Sequence, residues 1–162
     1  MPDSLARWLL PMLGSLFVAL WLSALPMHDT WLWYRPAWPV LILVFWIILQ
    51  PERIGLGLAW LLGLAQDLVA GTTPGQHALA LTAVAFLALL LYQRLRMYSV
   101  WQQAGIVFLL VGIHQLIGHW VQNLTGVVAP NLKYLLPALT SALVWPLLAP
   151  WLRPMQRQLS QG

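Results

Sequence analysis

The sequence predicts an all-α integral membrane protein, a polytopic bundle of about six transmembrane helices. Three observations carry this. Of 162 residues, 60% are hydrophobic and 7% charged, against roughly 25% charged in an ordinary soluble domain, so lipid must solvate most of the surface. Apolar stretches recur along the whole chain at lengths near the ~20 residues that a helix needs to cross a ~30 Å hydrocarbon core. The eight Lys and Arg residues fall singly or in pairs between those stretches. A soluble nucleic-acid binder with the same net charge of +4 would cluster its basic residues. Here they read as topology signals, and no nucleic-acid partner is expected.

The spans fall at 8–26, 36–49, 54–70, 77–93, 101–121 and 132–152. Arg7, the apolar run after it and the small residues Ser23 and Ala24 imitate a secretory signal. The run from Trp8 to Pro26 is longer than a signal core, so it reads as an anchor that stays. Ser15, Ala19 and Ser23 form a small-residue ridge on this span, the kind that lets helices approach closely in lipid. The second span is short, which suits a thin, tilted or partly re-entrant helix. Ala59 with Gly63 on the third span and Ala138 with Ala142 on the sixth form further ridges. Pro11, Pro137 and Pro146 fall inside spans and should kink or interrupt them. The connections are brief: a loop around Met27 to Thr30, the turn Gln50 to Arg53, the turn Gly71 to Gly75, the basic turn Arg94-Leu95-Arg96, and Gln122 to Asn131. None can hold an extramembrane domain, so residues 1–162 read as one membrane domain.

Basic residues retained on the cytoplasmic side orient such a protein. With both termini inside, Arg7, Arg53, Arg94, Arg96, Arg153 and Arg157 are cytoplasmic and only Arg35 and Lys133 are outside. An odd number of spans would spoil this division. Trp8, Trp31, Trp33, Trp101 and Trp151, with Tyr34, Tyr92, Tyr98 and Tyr134, lie near span ends, where amphipathic rings prefer the interface.

An ionisable side chain inside a span costs roughly 2.5 to 3.5 kcal/mol on insertion scales, so each needs a reason. Asp67 is the only acid within a span, near the outer end of the third helix and beside Gln66. His77 starts the fourth helix at the same level. On the fifth, Gln115, His119 and Gln122 share one helical face, and Asn123 continues it. These groups either snorkel and satisfy one another, or line an outward cavity or a partner's helix. No metal or haem is expected, because His77, His114 and His119 show no repeated ligand spacing. Catalysis is not expected either. Cysteine is absent, which excludes thiol nucleophiles, disulfide oxidases and Cys-based zinc sites. A single intramembrane acid cannot form an aspartyl dyad, and no phosphate-cradling loop is present.

Arg35-Pro36-Ala37-Trp38, Phe45-Trp46, Pro51-Glu52-Arg53, Gly57, Gly63 to Leu68, Gly71, Gly75 and His77-Ala78-Leu79, with the Arg94 and Arg96 pair and Trp101-Gln102-Gln103, resemble the MreD rod shape-determining family. The resemblance covers essentially the whole chain, with its specific part between about 35 and 105 and the last third matching only in hydropathy. It implies a bacterial inner-membrane, multi-pass, non-enzymatic component of the cell-elongation machinery without a cofactor. It further implies binding to MreC and indirect association with MreB, RodA and a class B penicillin-binding protein in lateral peptidoglycan synthesis. The family's fold is thought to resemble the substrate-binding subunits of energy-coupling-factor vitamin transporters. Its motif positions here are Pro36, Gly63, Asp67, Gly71, Gly75 and His77. The competing function is a small-molecule-binding membrane subunit of a transporter, which needs a ligand pocket where a scaffold does not.

Overall fold

The computed structural model describes residues 2–126, 131–151, 154 and 157, and Arg153 lies outside them. The described residues form an all-helical bundle: α1 (Pro2–Ala24), α2 (Asp29–Leu32), α3 (Trp38–Leu49), α4 (Leu56–Ala70), α5 (Gln76–Met97), α6 (Val100–Leu124) and α7 (Leu136–Leu148). Short 3₁₀ turns at Leu132–Leu135 and Ala149–Trp151 flank α7. Four segments are long and apolar enough to cross a membrane: Ala6–Ala24, Gln76–Met97, Val100–Leu124 and Leu132–Trp151. α3 and α4 are apolar but shorter.

α3 is the centre of the bundle. Its sequence from Pro39 to Leu49 carries no polar side chain besides the indole N–H of Trp46, and a helix apolar all round belongs in an interior. Ten of its twelve residues are buried, packed between α1 and α5 with α6 and α7 at its sides. At ~1.5 Å per residue the helix is ~18 Å long, well short of a ~30 Å core. The expected thin second span is therefore an enclosed short helix.

Side chains from other helices satisfy backbone groups at both of its ends. At the first end, Ala37 N–H donates to the hydroxyl of buried Ser141 on α7 (2.9 Å). At the other, Arg96 on α5 donates through Nε to the Ile48 carbonyl (2.7 Å) and through Nη2 to the Leu49 carbonyl (2.9 Å). Along its side, the Trp46 indole donates to Ser15 Oγ on α1 (2.8 Å). The Ser15 and Ala19 ridge thus packs inward against the bundle. One layer away, Gln103 on α6 ties three elements together: its Nε2 donates to the Leu95 carbonyl (2.7 Å), and its Oε1 accepts from Trp145 on α7 (3.1 Å).

The sequence places several boundaries differently. Arg94-Leu95-Arg96 is not a turn but the last turn of α5, which runs on to Met97, with Leu95 fully buried. The reversal comes at Tyr98 and Ser99, where Ser99 and Gln102 form a reciprocal capping box that starts α6. Pro11 and Pro146 lie inside helices, while Pro137 sits in the first turn of α7, just after the 3₁₀ segment. α2 was not foreseen in the loop around Met27 to Thr30.

α4 and α5 pack most closely where Gly63 meets Ala78. A Cβ on Gly63 would lie 2.2 Å from the Ala78 Cα and 2.5 Å from its backbone nitrogen, whereas one on Gly57 of the same helix would meet open space. A backbone cannot yield as a side-chain tip can. Gly63→Ala should therefore lower stability by about 1–3 kcal/mol through overpacking. Gly57→Ala should be neutral or slightly stabilising. Thermal unfolding of the purified protein in detergent distinguishes the two.

Candidate functional site

The polar groups singled out in the sequence resolve into two neighbouring arrangements at one end of the bundle. The first is a turn fastened by a carboxylate. α4 stops at Gly71, whose left-handed backbone (φ 64°) returns its N–H to the Asp67 carbonyl. Gly75, at φ 97°, precedes α5. Both positions need a residue without Cβ strain. Asp67 itself is buried at 2% exposure, yet an isolated buried carboxylate is costly. It is compensated by the turn: Oδ1 accepts from Thr72 Oγ1 (2.8 Å) and His77 N–H (2.9 Å), and Oδ2 from Gly75 N–H (2.9 Å). His77 Nδ1 lies 2.8 Å from Oδ1. Because an ionised carboxylate only accepts, that nitrogen carries the proton donated to it. Asp67 and His77 do share a hydrogen bond, and the carboxylate closes the turn from within.

The second arrangement is a cavity of about 560 Å³. Gln115, His119 and Gln122 line it together from the predicted face of α6, joined by His77 from α5. Pro36, Ala37 and Pro39 form the wall beside the start of α3. Asp67 does not line it, and Asn123 is exposed and outside it. Gly63, Gly71 and Gly75 likewise shape the α4–α5 packing and turn and stay out of the cavity lining. His119 stacks on Tyr134 with ring centroids 4.1 Å apart. Arg35, also in the lining, donates to the carbonyls of Leu22 and Leu25 at the end of α1.

Sequence reasoning undervalued two cavity residues. His114 lines the cavity with 4% exposure, and neither ring nitrogen has a hydrogen-bond partner. Its ring lies 5.7 Å from that of His77 at a 40° tilt. Gln66 also lines the cavity with its Oε1 buried and unpartnered. His114 immediately precedes Gln115, so widening the α6 stripe by one position would have found it. Among the described residues, no three His, Asp or Glu are grouped so as to hold a metal ion.

Charge is distributed unevenly along the bundle. Arg35 and Lys133 lie at the cavity end, Lys133 beside Asp29 and Tyr34. Arg53 and Arg96 lie at the opposite end, where the Arg53 guanidinium sits 4.4 Å above the Trp8 ring.

Among the described residues, an apolar helical bundle with a polar cavity at one end and a fastened turn beside it defines a polytopic membrane protein. The family described as rod shape-determining protein MreD matches residues 3–155. The "Rod shape-determining protein MreD" of Haemophilus influenzae is 34% identical over 125 residues, 77% of each chain. No solved structure matches. The chain belongs to the MreD family of rod shape-determining proteins.

Replacing Asp67 with Ala leaves the N–H groups of Gly75 and His77 without their acceptor. Such losses cost roughly 1–3 kcal/mol each where the group is shielded from water. Asp67→Ala should therefore destabilise by at least about 2 kcal/mol and open the 71–75 turn to protease, while Thr72→Ala should cost about 1 kcal/mol. Thermal unfolding with limited proteolysis reads both effects.

Proposed function

We propose that this protein is a non-enzymatic scaffold of the machinery that builds the lateral peptidoglycan wall, set in the bacterial inner membrane and holding MreC. Membership of the rod shape-determining family supports the process. The carboxylate-fastened turn is the observation that carries the mechanism: a rigid joint between α4 and α5, flanked by exposed apolar Leu68, Val69 and Leu79. A single transmembrane helix needs such a pre-ordered apolar surface, since ordering it on contact would cost binding energy. Asp67 and His77 act here by shape. Among the described residues Asp67 is the one buried acid, and both its oxygens are engaged with the turn.

In the proposed orientation the cavity end faces the periplasm and both termini the cytoplasm, because Arg7, Arg53, Arg94 and Arg96 then fall inside against Arg35 and Lys133 outside. Residues 1–162 act as a single membrane domain. Through MreC the protein would reach MreB, RodA and a class B penicillin-binding protein. A second reading, a small-molecule-binding subunit of a transporter, is favoured by the cavity. It requires an ATPase module that copurifies, where the scaffold requires MreC.

The paired substitution Asp67→Ala with His77→Ala should lower MreC recovery in a tagged pull-down by at least about tenfold, the equivalent of ~1.4 kcal/mol, and round the cells. Protein level is measured alongside, to separate lost binding from lost folding. Unchanged recovery and rod shape at normal protein level would reduce the turn to a structural element.

A further inference from the structure

We infer that the cavity at the α4–α5 turn end is a binding site for a neutral, hydroxyl-bearing saccharide group. This goes beyond the scaffold reading and does not depend on MreC capture.

The starting point is an imbalance. His114 is more than nine-tenths buried on the cavity wall with both ring nitrogens unpartnered, and Gln66 Oε1 beside the same space is also unpartnered. A buried polar group left without a partner is destabilising, and native proteins supply nearly all such groups with one. Whichever tautomer it adopts, a neutral imidazole offers one donor and one acceptor, and the amide oxygen adds an acceptor. A group that both donates and accepts at adjacent positions fits this set, as hydroxyl groups do.

The rest of the lining narrows the class. Gln115, Gln122 and Asn131 bring carboxamides to the same space, which recognise neutral donors and acceptors in fixed directions. An anion would ask for an available cation, but the Arg35 guanidinium already serves two backbone carbonyls. A cation would ask for a buried acid, and Asp67 is turned into the turn. Asp29 and Arg35 are the two charged residues of the lining, one of each sign. Trp33 supplies flat aromatic surface against which the C–H face of a sugar ring can lie, and Tyr134, one face of which His119 covers, lines the same space. The volume of about 560 Å³ falls within the roughly 300–1,000 Å³ of small-molecule sites. Trp33, Asp29 and Asn131 are exposed at the rim, so the cavity reaches the surface.

The saccharide could arrive free in solution or as the headgroup of a lipid, and the test separates these sources. The full-length protein in phosphatidylcholine nanodiscs is titrated with N-acetylglucosamine. In a parallel arm the nanodiscs contain monoglucosyldiacylglycerol, and native mass spectrometry reads which lipid stays bound. Saturable binding in either arm is expected, with the positive arm naming the source. His114→Phe keeps a ring of similar shape without its polar atoms and should weaken binding at least roughly tenfold. Gln115→Leu, at a half-buried position more tolerant of change, should weaken it as well and serves if His114→Phe does not fold. No saturable binding in either arm would overturn the inference, as would binding indifferent to both substitutions. Glucuronate binding as tightly as N-acetylglucosamine would overturn the neutral class.

Discussion

The structure depends on enclosing a helix too short to span a bilayer. Twelve residues of α3, almost wholly apolar, can be buried on every side, but a helix end leaves backbone N–H and C=O groups that lipid cannot satisfy. Side chains from other helices supply those partners. Ser141 receives the N–H of Ala37 at one end, and Arg96 donates to the carbonyls of Ile48 and Leu49 at the other. These two contacts tie α7 and α5 to opposite ends of α3 and so set the relative heights of three helices.

The cavity follows from the same constraint. An ~18 Å helix in a ~30 Å layer leaves space beyond its end, and Pro36, Ala37 and Pro39 at the start of α3 border that space. The longer α6 continues past it, so Gln115, His119 and Gln122 face the opening where a longer α3 would have met them with apolar side chains. At the other end the space is smaller, about 250 Å³, and is bordered by Leu49, the Gln50 to Arg53 turn, Tyr92 and Arg96. The larger space at one end and the smaller at the other are thus two consequences of one short helix. Scaffold and ligand site need not compete, since the fastened turn uses Asp67 while the cavity uses its neighbour Gln66.

Much of this was legible in the sequence. Charge scarcity and the spacing of apolar runs predicted an all-α membrane bundle, because both are set directly by the solvent; among the described residues four segments are long and apolar enough to cross a membrane. The helical spacing of Gln115, His119 and Gln122 predicted a shared face, and those three residues do line one cavity. The Asp67 and His77 contact was also foreseen, since two glycines between them permit a tight reversal. Other features were not accessible. The length of α3 could suggest a re-entrant helix as well as an enclosed one, and only the packing of α1, α5, α6 and α7 around it decides. Arg96 looked like a topology charge in a turn, because nothing local reveals that its guanidinium reaches carbonyls 47 and 48 residues earlier in the chain. Ser141 carries no motif, and the Trp101-Gln102-Gln103 motif does not reveal the partner of Gln103, because both residues reach partners distant in sequence. His114 was overlooked as a cavity residue because its importance lies in hydrogen bonds it does not make.

The claim that cross-helix side chains hold the ends of α3 is tested most directly by comparing Arg96→Met with Arg94→Met. Both substitutions remove one positive charge from the last turn of α5, so any effect on membrane orientation is matched. Arg94, unlike Arg96, makes no side-chain hydrogen bond to α3. In equilibrium unfolding, Arg96→Met should lose about 1–3 kcal/mol by stranding the Ile48 and Leu49 carbonyls, while Arg94→Met should stay within about 0.5 kcal/mol of the parent. Equal, small losses for both would contradict the account.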